Sequence, residues 1–194
     1  MADKKNITGL INHNKELNNI IKEAIQDALF GLMKIKKYED ISITELCQKA
    51  GVSRMAFYNN YKSLDNVIRS IVIDLNNEIL DDIGSPFKNS ITLNWYLKLF
   101  YTVEKNKEFF KLMFNAGFKY SYLEMINDLV LNNKSMISLE EKNIRVLWAG
   151  GMVNTIIKWF DDNLLESPSE LAEFCYNHLR FYNIHPSSSQ ISFF

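Results

Sequence analysis

Ser42–Ile68, SITELCQKAGVSRMAFYNNYKSLDNVI, is the stretch on which the fold turns. Ser42 with Glu45 three residues later has the spacing of a capping box, in which each side chain satisfies the other residue's backbone donor, and it opens a short helix over about Ile43–Ala50. Gly51 ends that helix, because glycine takes the positive φ of a sharp stop without steric cost. Ser53 caps a helix of about two turns, Arg54–Tyr61. Ser63 caps a longer one with Leu64, Val67, Ile68, Ile71, Val72 and Leu75 inward, ending near Gly84-Ser85-Pro86. Small Cys47 lets the two short helices approach, and Phe57, with Val52 and Tyr61, is expected to pack against Leu46 and Ala50. Two short helices around a glycine turn, the second with polar residues outward, predict a helix-turn-helix whose second helix can enter a major groove. On spacing alone, an ordinary helical hairpin is the alternative.

Upstream, Asn14 to about Lys37 carries Leu17, Ile20, Ile21, Ala24, Ile25, Ala28, Leu29 and Leu32 on one helical stripe. Lys34, Lys36 and Lys37 crowd its C-terminus, where cations suit the macrodipole. Downstream, Ile91–Glu104, Asn106–Asn115 (ended by Gly117) and Tyr120–Asn132 read as helices. Ser138 and Glu141 form a further capping box before a long helix, Leu139 to about Leu164. Ser167-Pro168-Ser169-Glu170 joins an N-cap, a first-position proline and an N3 glutamate ahead of a last helix to about Tyr182. The expected architecture is all-α, about nine helices. It comprises an N-terminal helix-turn-helix domain (1–62), a helical body (63–182) and a tail (183–194) whose Phe193-Phe194 could dock elsewhere.

Composition agrees. The 194 residues, 47% hydrophobic and 23% charged, supply a sizeable core, and 7 Gly with 3 Pro are too few turn formers for a many-stranded sandwich or barrel. A net charge of −1 excludes a global polycation. Yet eleven Lys/Arg stand against eight Asp/Glu up to Arg69, and eleven against fifteen beyond it, as expected if one end meets an anionic partner. Cys47 and Cys175 lack CxxC spacing, which fits reduced thiols better than a disulfide framework or a zinc knuckle. No signal-peptide core or run of ~18 apolar residues occurs, so the expectation is a soluble, cytoplasmic protein without a membrane partner.

Ala50-Gly51-Val52-Ser53-Arg54, Phe57-Tyr58 and Tyr61-Lys62-Ser63 follow an aromatic-acidic approach, Tyr38-Glu39-Asp40, and lie behind one amphipathic helix. In this the chain resembles the tetracycline-repressor (TetR) family. The resemblance implies a transcription regulator, a repressor rather than an activator, acting as a homodimer on a palindromic operator in double-stranded DNA. It implies DNA contacts from Ser42, Thr44, Ser53, Arg54, Met55, Ala56, Tyr58, Asn59, Asn60 and Lys62, with Ser42 and Tyr58 at positions that touch phosphates. Arg54 can grip guanine or phosphate, Asn59 or Asn60 can read adenine, and Met55 or Ala56 can touch a thymine methyl. Met55 stands where many relatives have Gly, and Leu64 where a Lys often holds phosphate; Lys62 is nearby. Since log K falls by ~0.9 per neutralised phosphate for each tenfold rise in salt, fewer contacts predict a gentle salt dependence.

The resemblance weakens after about Ile79, but 145–174, RVLWAGGMVNTIIKWFDDNLLESPSELAEF, resembles the C-terminal regions of such regulators, whose last two long helices pack against their two-fold mates. Leu147, Gly151, Ile156, Phe160, Leu171, Phe174 and His178 are the candidate dimer surface; packing of these stripes inside one subunit is the alternative. Two adjacent glycines, Gly150 and Gly151, each costing ~1 kcal/mol in a helix, point to a close approach by some neighbour. Trp95, Tyr96, Phe100, Phe110, Met113, Phe114, Phe118 and Trp148 are candidates to line a pocket, with Phe109 and Tyr122 in the same aromatic set. Few charges interrupt them, which favours an apolar small-molecule effector; a tightly packed body is the alternative.

An enzyme fits poorly. His13, His178 and His185 have no metal-ligand spacing, no GxSxG, Walker loop or dinucleotide fingerprint occurs, and no cofactor or metal is implied. A second rival is an all-helical protein-interaction module that keeps the fold without specific DNA binding, which Met55 and Leu64 would suit.

Overall fold

The structure, a computed structural model, describes residues 2–85, 87, 91–131 and 137–179. Among these it is all-helical: α1 (Ala2–Met33), a 3-10 turn (Tyr38–Asp40), α2 (Ile43–Ala50), α3 (Arg54–Asn60), α4 (Leu64–Ile83), α5 (Leu93–Lys105), α6 (Lys107–Asn115), α7 (Lys119–Leu131), α8 (Leu139–Asp161) and α9 (Pro168–His178). The tail expected over 183–194, and the last turn expected for α9, lie outside the described residues. Contacts group the chain into two compact units. The first runs to Asp74 and takes in Asn115–Gly117, and the second holds the rest, so the division falls within α4.

In the first unit α1 starts and stops earlier than its apolar pattern suggests. It buries Ile25, Ala28, Leu29, Leu32 and Met33, while Leu17 and Ile20 stay exposed. After Met33 the chain closes through Ile35 N–H and Lys36 N–H to the Leu32 carbonyl (3.0 and 3.1 Å), which leaves Lys34, Lys36 and Lys37 beyond the helix. Lys34 instead lies over the Phe30 ring at 4.2 Å, a cation–π contact. Lys36 donates to the Glu45 carboxylate at 2.8 Å, so only half of the expected capping box forms: Ser42 Oγ accepts from Glu45 N–H at 3.1 Å while the carboxylate is held by the lysine. That ion pair and its hydrogen bond hold the Glu45 carboxyl below the usual range.

Under α2 and α3 lies a dense apolar cluster, with Leu46, Phe57, Val67 and Ile68 fully buried and Cys47 and Tyr61 nearly so. At ~1.5–3 kcal/mol per large side chain, these residues hold the short helices against their own tendency to fray. Two polar clamps fix the edges. Gln26 on α1 donates to Ser70 Oγ and Asp74 Oδ2 on α4 (3.1 and 2.9 Å), and Tyr38 O–H donates to Asp65 Oδ1 at 2.5 Å. Burial first, then Asp65, pushes the Tyr38 phenol well above its ordinary pKa, so it remains a donor at any physiological pH.

In the second unit α5 packs along α9, and α7 along α8. Its interior is aromatic: Phe110, Phe114, Phe160 and Tyr122 form edge and tilted pairs with ring centroids 5.4–6.0 Å apart. Polar tips in this interior find partners. Trp148 Nε1 donates to Tyr96 O–H (3.1 Å), and Trp159 Nε1 to the Glu166 carbonyl (2.8 Å). Burial pushes the Tyr96 phenol up to about 12. Helix α8 stops at Asp161, three residues before the expected end, where Asn163 and Leu164 both take positive φ (57° and 58°) and Leu164 N–H closes onto the Trp159 carbonyl at 2.8 Å. The reciprocal capping box forms in full at Ser167–Glu170. At Ser138 the serine caps Glu141 N–H, but the Glu141 carboxylate turns to Arg145.

Candidate nucleic-acid interface and cavity

The turn between α2 and α3 has the geometry its glycine predicts. Gly51 sits at φ 66°, ψ 27°, and its N–H meets the Gln48 carbonyl at 3.2 Å while Val52 N–H meets that of Cys47 at 3.0 Å. Ser53 Oγ then caps α3 by accepting from Ala56 N–H at 3.0 Å. These local bonds aim α3 so that Phe57 points inward and the opposite face points to water. On that face Ser53, Arg54, Met55, Tyr58 and Asn59 are exposed, Met55 by 75% and Tyr58 by 49%; Ala56 and Asn60 are half-buried. Ser42 and Thr44 at the head of α2 and Lys62 after α3 are exposed as well.

Their chemistry is unequal. Tyr58 rests edge-on against Phe57 at 5.4 Å, so its ring is propped by the core while the residue stays exposed. The Asn60 amide donates to the Ala56 carbonyl at 2.9 Å, which ties it to its own helix and leaves Asn59 the freer of the two candidate adenine readers. Ser42 and Ser53 already accept backbone N–H groups, and each retains a hydroxyl proton to donate outward. Cys47 is buried and its thiol is pushed up by desolvation, with Arg54 opposing, so it is a packing residue with little thiolate. Cys175 is likewise buried, its thiol pushed up to about 12.

The second unit contains a cavity of about 190 Å³. Of the residues expected to line a pocket, Trp95 and Trp148 border it, and so does Tyr122 of the same aromatic set; Tyr96, Phe100, Phe110, Met113, Phe114 and Phe118 do not. These six are buried, Tyr96 and Phe100 on α5, Phe110, Met113 and Phe114 on α6 and Phe118 just after it, as the apolar stripes of core helices must be. The rest of the wall comes from elsewhere: Asn76 and Leu80 of α4, Leu99 and Ile126, and Arg145, Met152 and Ile156 of α8. Arg145 is 4% exposed, its guanidinium bound to the Glu141 carboxylate and the Val130 carbonyl (2.9 Å) and lying 4.7 Å from the Phe87 ring centre.

The candidate dimer residues divide. Ile156 and Leu171 are buried within the chain, and Phe160 is half-buried against Phe110 and Phe114. A Cβ on Gly151 would come within 3.1 Å of the Leu179 side chain, so that close approach is internal; a Cβ on Gly150 would meet nothing within 4 Å. Leu147 and Phe174 remain 61% and 52% exposed, and His178 stacks on Phe174 with ring centroids 4.5 Å apart.

Residues 92–180 match the family model of a transcriptional regulator C-terminal region, TetR_C_8. This part of the chain resembles the C-terminal region of TetR-like transcription regulators. Two of the solved structures that share the fold are TetR-like or activator proteins. One is a dihydroxyacetone kinase operon activator, DhaS (20% identity, TM-score 0.56, covering 82% of this chain and 93% of that one). The other is a TetR transcriptional regulator from Streptococcus agalactiae 2603V (15% identity, TM-score 0.56, 88% and 99%). No curated protein matches this chain by sequence. Regulators of this family are generally not enzymes, and no helix among the described residues is long and apolar enough to cross a membrane.

Sequence reasoning passed over Arg145 and Met152. A signal was present: Arg145 stands three and seven residues before Trp148 and Met152, a charge on the buried stripe of α8. Asn76 and Leu80 carried no such mark, since nothing in the α4 pattern distinguishes a helix side facing a void from one facing a packed neighbour.

Proposed function

We propose that the regulator binds an operator in double-stranded DNA as a homodimer, with residues 1–62 as the reading part and 63–182 as the dimerisation and effector part. The observation that carries this reading is the outward face of α3. Arg54, Tyr58 and Asn59 project from a short helix whose cap, turn and Phe57 anchor leave it no other exposed function. Arg54 is the base or phosphate ligand, Asn59 the adenine reader, and Tyr58, Ser42 and Lys62 the phosphate contacts that set register. The second subunit adds a matching helix about one DNA turn (~34 Å) away. The dimer surface we favour is the exposed side of α8 and α9, Val146, Leu147, Phe174 and His178, with Gly150 open about one turn further along α8, since apolar groups left in water at these positions gain by pairing.

A small molecule in the cavity modulates DNA binding. Supporting this, α4 is one helix from Leu64, four residues after α3, to Ile83, and its Asn76 and Leu80 border the cavity. A ligand that binds better to the dimer with wrongly spaced readers releases DNA, which makes the protein a repressor. The DhaS activator has a similar fold, so the opposite sign is the second reading. The test is a titration of labelled DNA from around its own gene against random competitor at physiological salt. We expect specific binding, and at least a ~tenfold loss for Arg54→Ala and for Tyr58→Ala with unchanged circular dichroism. Equal affinity for both DNAs would leave only the fold-retaining interaction module.

A further inference from the structure

The chemistry of the cavity wall narrows the ligand, on the reading above that this cavity holds the effector. Its volume of about 190 Å³ slightly exceeds the ~150 Å³ of an apolar cavity that admits one benzene ring. Trp95, Trp148, Phe87 and Met152 offer flat or soft apolar surface to such a ring. Arg145 is the one charged group in the lining. Of its five N–H groups, Nε–H and one on Nη2 go to a single Glu141 oxygen and one on Nη1 goes to Val130, which leaves two without a partner among the described residues. The arginine side chain is 5% exposed and that of Glu141 26%, at the first turn of α8, so the carboxylate is the partner that can turn to water.

We propose that the cavity takes a monocyclic aromatic acid of benzoate size, whose ring lies against the edge-to-face pair Trp95 and Trp148 (centroids 5.5 Å apart) and whose carboxylate docks on Arg145 in exchange for Glu141. A planar guanidinium pairs bidentately with a planar carboxylate, and the exchange avoids burying a second negative charge beside the first. An uncharged apolar ligand, the expectation from the sequence, would leave those two N–H groups without an acceptor.

The test uses the full chain with 4-fluorobenzoate and fluorobenzene as fluorine-NMR probes. We expect 4-fluorobenzoate to bind one site per chain at least ~tenfold more tightly than fluorobenzene, a margin of the size a charge-assisted pair supplies. Glu141→Gln should tighten the acid severalfold and leave fluorobenzene unchanged, while Met152→Trp, which fills the void, should abolish both. Arg145→Met should lose the acid alone; if it fails to fold, the Glu141→Gln and Met152→Trp results decide. Equal affinity for the two probes, no effect of Glu141→Gln, or binding that survives Met152→Trp would each overturn the assignment. If the acid binds as expected but leaves operator affinity unchanged, the ligand assignment stands and the effector reading fails.

Discussion

The two units of this chain use aromatic residues in opposite ways. In the first, Phe57 and Tyr61 stand one helical turn apart, both point to one cluster, and their ring centroids lie 6.0 Å apart with no space to spare. In the second, aromatics from α5, α6, α7 and α8 divide: Phe100, Phe110 and Phe114 pack solidly, whereas Trp95 and Trp148 border a void. A tight motif leaves each side chain one place to go. A bundle of longer helices leaves gaps wherever their stripes fail to match, and a gap is what a ligand needs.

Truncating the buried rings tests this comparison most severely. Phe57→Ala and Phe100→Ala remove fully buried side chains, and each should cost ~3–5 kcal/mol in urea unfolding. A value under ~1 kcal/mol at either site would mean that the surroundings collapse freely and that packing there is not tight. A sharper contrast lies within the second unit. Met113, fully buried, should lose ~2–5 kcal/mol on change to Ala, whereas Leu129, half-buried on the cavity wall, has fewer neighbours to lose and should give up ~1 kcal/mol. Equal losses would argue against an open cavity.

Gly51→Ala places an L side chain at φ 66°, and thermal unfolding should register a cost of ~1–2 kcal/mol, although a Cβ there would touch nothing within 4 Å. No change would show that the turn relaxes and that the aim of α3 does not depend on it. The smallest effect concerns charge. If Lys62, exposed after α3, neutralises one phosphate per subunit, Lys62→Ala should lower the slope of log K against log salt by ~0.9 per lost contact; an unchanged slope removes it from the interface.

The first unit was legible because its determinants are close neighbours in sequence. Ser42, Gly51 and Ser53 act on backbone groups within five residues of themselves, and α2 falls on Ile43–Ala50 as its signals require. Where a cation competed for the glutamate, the reading of the cap failed. Glu45 left its capping role for Lys36, Glu141 left its role for Arg145, and only Glu170, whose carboxylate stays with Ser167, completes the box. The cavity was illegible because its wall draws on α4, α5, α7 and α8, which lie far apart in sequence.

The sequence by itself determined an all-helical chain, the capped helix-turn-helix with its outward Arg54, Tyr58 and Asn59, and the start of every later helix to within about two residues, because caps, turns and helical stripes are set by neighbours one or two turns away. Tertiary structure alone decided which aromatics are core and which face a void, that Gly151 serves Leu179 while Gly150 stays open, and that a buried arginine is the one charged group of the cavity wall. Those outcomes depend on how side chains from helices far apart in the chain fill a shared volume, and no local pattern carries that sum.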